Sequence, residues 1–174
     1  MQNCLQSLLK NSLTGARRIA ILGIGSEFRG DDSAGILAAE YISKKNIGTK
    51  SVAIEVFLGA TAPENLTGVI KRFKPSHLVI IDAIDASQKP GTILVLDPTA
   101  AGGATFSTHT MPAKILAMYL TKSTRCKTII IGIQAKSIDF GDTISKDVGR
   151  SARFLSDSLI DIIKRLGNAR AKAG

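Results

Sequence analysis

Apolar runs short enough to be buried strands alternate along this chain with stretches whose apolar residues recur every three or four positions. The runs predict five strands, at residues 18–23, 51–57, 78–81, 92–96 and 128–133. The helical spacing predicts helices that begin near residues 36, 63, 111 and 148, besides a short one near the start of the chain. Strands that alternate with helices indicate an α/β fold with a mainly parallel sheet.

Local signals refine three of these elements. The turn Pro90-Gly91 follows the third strand so closely that no helix fits before the fourth, which we therefore expect to be antiparallel. Thr61 and Glu64 have the spacing of a capping box at the start of a helix. Gly167 is a candidate end for the last helix.

The length of 174 residues indicates one domain with a sizeable core. Residues 1–16 precede the first strand and form a predicted N-terminal extension, and residues 17–174 form the predicted single α/β domain. No apolar run is long enough to span a bilayer, and the first residues are too polar for a secretory signal. We therefore expect a cytoplasmic protein without a membrane partner, in which Cys4 and Cys126 are reduced thiols.

The formal net charge of +9 raises the question of nucleic-acid binding. The basic residues are spread along the chain, and aromatic residues make up only 5% of it, without a basic stripe interleaved with stacking rings. Solvated helix faces are the simpler explanation. We therefore expect no nucleic-acid partner, although a basic surface can also attract an acidic protein.

Acidic residues and a histidine stand at predicted turns of the α/β pattern. Asp31 and Asp32 follow the first strand, Asp82 follows the third, and His109 precedes a helix. Ligands collect at the carboxyl ends of parallel strands, so the Asp31-Asp32 pair, Asp82 and His109 are candidates for one metal site. Each also has a structural alternative: the aspartates as helix caps or turn residues, and the histidine as a residue that orients its helix.

Other site types fit the sequence less well. Gly23-Ile-Gly25 resembles the start of a dinucleotide fingerprint, but Phe28 stands where its third glycine belongs, and no acid ends strand two. A nucleotide- or phosphate-binding module therefore remains only as an alternative. Nucleophilic catalysis is disfavoured because no nucleophile elbow is present and His77 is predicted at the opposite edge of the sheet.

Taken together, these motifs resemble the endopeptidases that mature the large subunit of [NiFe] hydrogenases, in particular the hydrogenase 3 (HycI) branch. The pieces that match, in the order of the family, are Leu22-Gly-Ile-Gly25, Arg29-Gly-Asp-Asp32, Ala62-Pro-Glu-Asn65, Ile81-Asp-Ala-Ile-Asp85, Pro90-Gly91, Thr108-His-Thr-Met-Pro112 and Gly132-Ile-Gln134. The chain departs from the family pattern at Ser26, Ser33, Ser87 and Ala135, where the family usually has Asn, Gly, Gly and Pro.

The resemblance implies a three-layer α/β sandwich, in which a twisted, mainly parallel five-stranded sheet has helices on both faces. It implies that Asp32, Asp82 and His109 bind nickel and carry catalysis. The nickel would be carried by the substrate, a [NiFe]-hydrogenase large-subunit precursor, so that the free enzyme is metal-free. The expected reaction is hydrolysis of one peptide bond, which removes a C-terminal extension. A non-catalytic nickel-dependent chaperone of the same subunit is the alternative.

Overall fold

The computed structural model of the chain describes residues 2–45, 47, 49, 51–98, 105–106 and 113–171. The strands in this part are β1 (Arg18–Ile24), β2 (Ala53–Ala60), β3 (His77–Asp85), β4 (Ile93–Leu96), β5 (Thr105–Phe106) and β6 (Lys127–Gln134). The α-helices are α1 (Gln2–Ser12), α2 (Ala34–Ser43), α3 (Thr67–Phe73), α4 (Ala113–Thr124) and α5 (Lys146–Ala171). Two 3₁₀ turns, Gly30–Ser33 and Pro63–Leu66, lead into α2 and α3.

The strands form one sheet in the order β2-β1-β3-β6-β4, and the short β5 pairs with the end of β3. Strands β2, β1, β3 and β6 run parallel to one another, whereas β4 is antiparallel to β6 and β5 is antiparallel to β3. The prediction that the fourth strand reverses direction is therefore confirmed. Its physical reason is that the short connection from β3 cannot carry the chain back to the amino edge of the sheet.

Helices cover both faces of the sheet, as the expected three-layer α/β sandwich requires. Residues of β1 alternate between the two sides: Ile19 and Ile21 pack with the apolar residues of α1, α2 and α5. Ala20 and Leu22 pack on the other side with residues of α3 and α4. This two-residue alternation is the normal geometry of a strand that is buried on both faces.

The N-terminal residues pack on the same core as the sheet. Leu9, Leu13 and Ala16 are almost completely buried in the cluster beneath α2 and α5. Helix α1 contacts both α5 and β4. The predicted extension therefore supplies core residues.

Among the helices that the structure describes, none combines the length and the apolar character that a membrane-spanning helix needs.

Strand β3 is longer than the apolar run predicted. The sequence suggested that the strand stops at Ile81, but the structure extends it through Asp82 to Asp85. The extra residues are held by β6, since Asp82 pairs with Gly132 and Ile84 pairs with Gln134. Pairing with a neighbouring strand can continue a strand past its last apolar residue, which the hydrophobic pattern alone does not show.

Two predicted helix signals are wrong. Thr61 and Glu64 form no capping box, because the chain enters the helix through a 3₁₀ turn that has Ala62 at its N-cap and no side-chain cap. Gly167 does not end α5, which continues to Ala171. A Cβ atom at position 167 would lie 2.3 Å from the Thr49 hydroxyl oxygen. This glycine therefore allows close packing of the helix and is not a helix stop.

Candidate active site

The site begins where β1 turns into the 3₁₀ turn before α2. Gly25 has a φ angle of +138°, and a Cβ atom there would lie 1.8 Å from the carbonyl oxygen of Asp32. A Cβ atom at Gly35 would lie 2.3 Å from the carbonyl oxygens of both Ile24 and Ile81. These two glycines therefore let the first turn of α2 sit directly on the carboxyl ends of β1 and β3.

Asp32 is buried within this turn, with an exposed fraction of 3%. Its Oδ2 atom accepts a hydrogen bond of 2.9 Å from the backbone N–H of Ser26. Its own backbone N–H donates to the carbonyl oxygen of Arg29 at 3.0 Å. Because Ser26 contributes its backbone, the presence of serine where the family usually has asparagine leaves this bond intact.

Asp82 is buried on the neighbouring strand, with an exposed fraction of 1%. The pairing of β1 with β3 ends at Gly23 and Ile81, so Asp82 is the first residue of β3 beyond it. The carbonyl of Ile81 is also the group that Gly35 approaches. Asp82 follows Ile81 directly, and Asp32 precedes Gly35 by less than one helical turn. The backbones of the two residues therefore lie at the same junction of α2, β1 and β3.

His109, the third predicted ligand, lies outside the described residues, as do Met111 and Pro112 at the predicted start of its helix. The described residues on either side of it are at the carboxyl edge. Phe106 pairs with Ile84 at the end of β3. Helix α4 runs from Ala113 toward the amino edge, because the strand that follows it starts there. Within the described part, no three His, Cys, Asp or Glu side chains form a metal-binding group.

The other histidine lies at the opposite edge of the sheet, as predicted. His77 begins β3, where it pairs with Ile19 and Lys127, and its side chain is buried. Its Nδ1 atom is 3.1 Å from the Ser76 hydroxyl. Cys4 and Cys126, also predicted to stand apart from the site, are free thiols. None of these groups belongs to the junction of the two aspartates.

Asp31 has a role that the sequence did not reveal. Its carboxylate accepts hydrogen bonds from the backbone N–H groups of Lys136 at 2.7 Å, Ser137 at 3.3 Å and Ser145 at 2.6 Å. The hydroxyl of Ser145 donates to it as well, at 3.0 Å. Neither the 3₁₀ turn nor α2 has a side-chain cap, so the helix-cap interpretation of these aspartates is wrong. Asp31 instead ties the loop after β6 to the turn that carries Asp32.

Gln134, from the Gly-Ile-Gln motif, braces the turn that follows β3. Its Oε1 atom accepts hydrogen bonds from the backbone N–H groups of Ala86 at 2.8 Å and Gln88 at 3.2 Å. Its Nε2 atom donates to Oδ1 of Asp85 at 3.3 Å. The backbone N–H of Ser87 and then this amide lower the pKa of Asp85. Ser87 has a φ angle of +53°, which explains why glycine suits this position.

Glu64 is a further, partly buried acid that sequence reasoning did not assign to the site. Among the described residues, its Oε2 atom is buried without a hydrogen-bond partner. Glu64 lies in the 3₁₀ turn that follows β2, and the last residue of β2, Ala60, accepts a hydrogen bond of 3.0 Å from Gly25. The motif Ala62-Pro-Glu-Asn65 was the signal available in the sequence. Glu64 therefore belongs to the same edge as the two aspartates.

Comparison with known proteins identifies the class of protein that has this fold, with acidic residues at the carboxyl edge of its sheet. The HycI family model, described as hydrogenase maturation protease, matches residues 37–162. A putative hydrogenase maturation protease of Methanocaldococcus jannaschii is 33% identical over 172 residues, which are 95% of this chain and 100% of that protein. The hydrogenase 3 maturation protease of Escherichia coli is 36% identical over 121 residues, which are 69% of this chain and 74% of that protein.

Solved structures agree with the sequence comparison. The crystal structure of the [NiFe] hydrogenase maturation protease HycI from Thermococcus kodakarensis superimposes with a TM-score of 0.80 and 32% identity. The match covers 90% of this chain and 99% of that one. This chain belongs to the hydrogenase maturation protease family, and it is a peptidase. The resemblance noted from its motifs and the expected α/β fold are both confirmed.

Proposed function

We propose that the chain is a nickel-dependent, aspartic-type endopeptidase of the cytoplasm. Its substrate would be a [NiFe]-hydrogenase large-subunit precursor that already carries nickel, and its reaction the hydrolysis of the peptide bond before the C-terminal extension. Family membership supports the reaction class. The observation that carries the assignment of the site is the burial of Asp32 and Asp82 at one junction of α2, β1 and β3.

The donor set suits a borderline divalent cation. Carboxylate oxygens and an imidazole nitrogen are ligands that such a cation accepts, and three protein ligands leave positions free for the rest of the substrate. We assign these roles to Asp32, Asp82 and His109. The described neighbours of His109, Phe106 and Ala113, support its inclusion because both lie at the carboxyl edge.

The same residues account for hydrolysis at a marked junction. Contact with the substrate's nickel would place the precursor's scissile bond beside two buried carboxylates. A carboxylate within hydrogen-bond reach of a water molecule accepts its proton as the water attacks the peptide carbonyl. The cation polarises that carbonyl and lowers the pKa of nearby water when it is present. Nickel would thus mark the precursors that are ready to be cut.

The nucleotide-binding alternative has little support in the geometry. A Cβ atom at Gly23 would lie 2.5 Å from the carbonyl oxygen of Gly35, so this glycine serves the packing of α2 on β1. Asp31 and Asp32 occupy the first turn before α2, where a phosphate would bind in a nucleotide fold. Carboxylates at that position would repel an anionic ligand.

The proposal is tested by cleavage of a purified, nickel-loaded precursor followed by mass spectrometry. Asp32→Asn, Asp82→Asn and His109→Gln should each lower the cleavage rate by about 10³-fold, because each removes a ligand or base from the reacting centre. Circular dichroism should show folded proteins. Nickel-free precursor should remain uncut by the wild-type enzyme.

Asp85→Asn is the matched control, because Asp85 lies on the same strand as Asp82 but is exposed and bonded to Gln134. This variant should cleave at close to the wild-type rate. Equal cleavage by the Asp32 and Asp85 variants would refute the assigned site. Binding of the precursor without any shortening by the wild-type protein would support the chaperone alternative instead.

A further inference from the structure

Two solvent-exposed phenylalanines lie beside the proposed site. Phe28 is 69% exposed and Phe140 is 81% exposed, the highest values among the large apolar side chains of the described residues. Phe28 lies in the loop after β1, and Phe140 lies in the loop after β6. The two loops are joined by a hydrogen bond of 2.9 Å from the N–H of Gly141 to the carbonyl oxygen of Phe28. We call Phe28 and Phe140 with these loops the aromatic platform.

The backbone of the aromatic platform is tied at several further points. The Arg29 side chain donates to the carbonyl oxygen of Ile138 at 3.2 Å. The N–H of Gly30 donates to the carbonyl oxygen of Asp142, also at 3.2 Å. The Asp31 carboxylate adds the bonds described above. The loops are therefore ordered before any partner arrives, which lowers the entropic cost of binding through the two rings.

The platform is continuous with the turn that holds Asp32. Phe28 lies between Ser26 and Asp32, which are joined by the bond from the Ser26 N–H to the Asp32 carboxylate. The N–H of Asp32 donates to Arg29, the residue directly after Phe28. A polypeptide that reaches Asp32 therefore passes close to Phe28.

We propose that Phe28 and Phe140 are the docking surface for an apolar patch of the precursor next to its cleavage junction. This inference rests on the proposed function, because a peptidase must bring a protein chain to its carboxylates. Charges on the platform are mixed, with Arg29 and Lys136 beside Asp139 and Asp142. A charged partner would gain little there. Exposed aromatic rings on an ordered backbone are typical anchors of protein interfaces.

The inference predicts a separation of KM from kcat in cleavage of the nickel-loaded precursor. Phe28→Ala and Phe140→Ala should each raise KM by about tenfold, which is the scale of an interface anchor. The value of kcat at saturating precursor should stay within about twofold, because neither ring contacts the reacting atoms. Phe140→Leu should restore most of the affinity, since it keeps an apolar side chain.

Leu8→Ala is the matched control. Leu8 is 48% exposed on α1, a helix that contacts α5 and β4, so its truncation also removes an exposed apolar group, but from a different element. Its KM should equal the wild-type value. An unchanged KM in both phenylalanine variants would overturn the inference, and so would an equal rise in the Leu8 variant.

Precursor binding, measured by interferometry, separates this inference from the proposed function. If the wild-type protein fails to shorten the precursor, the proposed function fails, but binding weakened about tenfold by Phe140→Ala would still support the platform. Sedimentation tests a second copy of the chain as the occupant. A wild-type dimer that Phe140→Ala dissociates, with unchanged precursor binding, would overturn the inference.

Discussion

The two edges of the sheet use polar groups in different ways. At the amino edge, the Ser76 hydroxyl accepts hydrogen bonds from the backbone N–H groups of Arg17 and Arg18, and the Arg18 guanidinium lies 4.4 Å from the centre of the Phe73 ring. These contacts join the start of β1 to the residue before β3 and to the end of α3. At the carboxyl edge, Asp32 and Asp82 are buried where the turn before α2 meets the ends of β1 and β3.

The comparison shows why the carboxyl edge is the one suited to chemistry. Burying a carboxylate costs free energy unless partners or a ligand offset the cost. For Asp31, the cost of burial is offset by several hydrogen bonds from the loop after β6. Glu64 Oε2, within the described part of the chain, has no such partner. Buried acids gathered at one edge are typical of functional sites. Among the residues that the structure describes, no buried acid lies at the amino edge.

Apart from the variants of the proposed site, the largest expected effect is a loss of stability when Asp31 is replaced. Asp31→Ala leaves the N–H groups of Lys136, Ser137 and Ser145 without their acceptor, so we expect a loss of about 3 kcal/mol in the free energy of unfolding. Urea denaturation measures it. Asp32→Asn, its neighbour, should lose cleavage with a much smaller change in stability. Equal stability losses in the two variants would contradict the division of roles between them.

A smaller change is expected from the brace behind Asp82. Gln134→Met removes the acceptor of the Ala86 and Gln88 N–H groups, which should cost about 1–2 kcal/mol in urea denaturation. It should also raise the pKa of Asp85 toward its ordinary value of 3.8, since the amide helps to lower that pKa. The Ser87 N–H would remain as the larger cause of the lowering.

The sign of the pH effect follows from the lowered pKa of Asp85. The contribution of this carboxylate to stability is fully present above pH 3.8, its ordinary value, and is lost as the pH falls through the lowered pKa. In the Gln134 variant, the contribution should be smaller and its loss should be complete at a higher pH. NMR titration of the Asp85 carboxyl carbon measures its pKa in the wild-type protein and in the Gln134 variant. Identical pKa values in the two would contradict the hydrogen bond from Gln134 to Asp85.

The smallest effect is expected at the amino edge. Arg18→Ala removes the contact with the Phe73 ring and the hydrogen bond from Arg18 Nε to the Phe73 carbonyl, so it should cost about 1 kcal/mol of stability. Cleavage of the precursor should be unchanged. A marked loss of activity without a loss of stability would show that the amino edge also takes part in the reaction.

The periodic pattern of the sequence predicted most of the architecture. Five of the strands, their mainly parallel direction and the reversed β4 follow from short apolar runs, helical spacing and a short connection, which are local properties of the chain. The helices on both faces were implied by the family resemblance, and the two-residue β5 was not predicted. Local signals failed where distant residues compete with them. Gly167 stays helical beside Thr49, and β3 continues because β6 pairs with it.

The sequence by itself also contains the motifs that resemble the family, and this resemblance made Asp32, Asp82 and His109 candidates for the nickel-binding site. Only the tertiary structure gave Asp31 a role of its own, because its hydrogen bonds join residues more than one hundred positions apart. The aromatic platform likewise forms from two loops that meet only after the sheet assembles. Such contacts depend on how whole strands are ordered side by side, and hydrophobic spacing within one segment carries no information about that order.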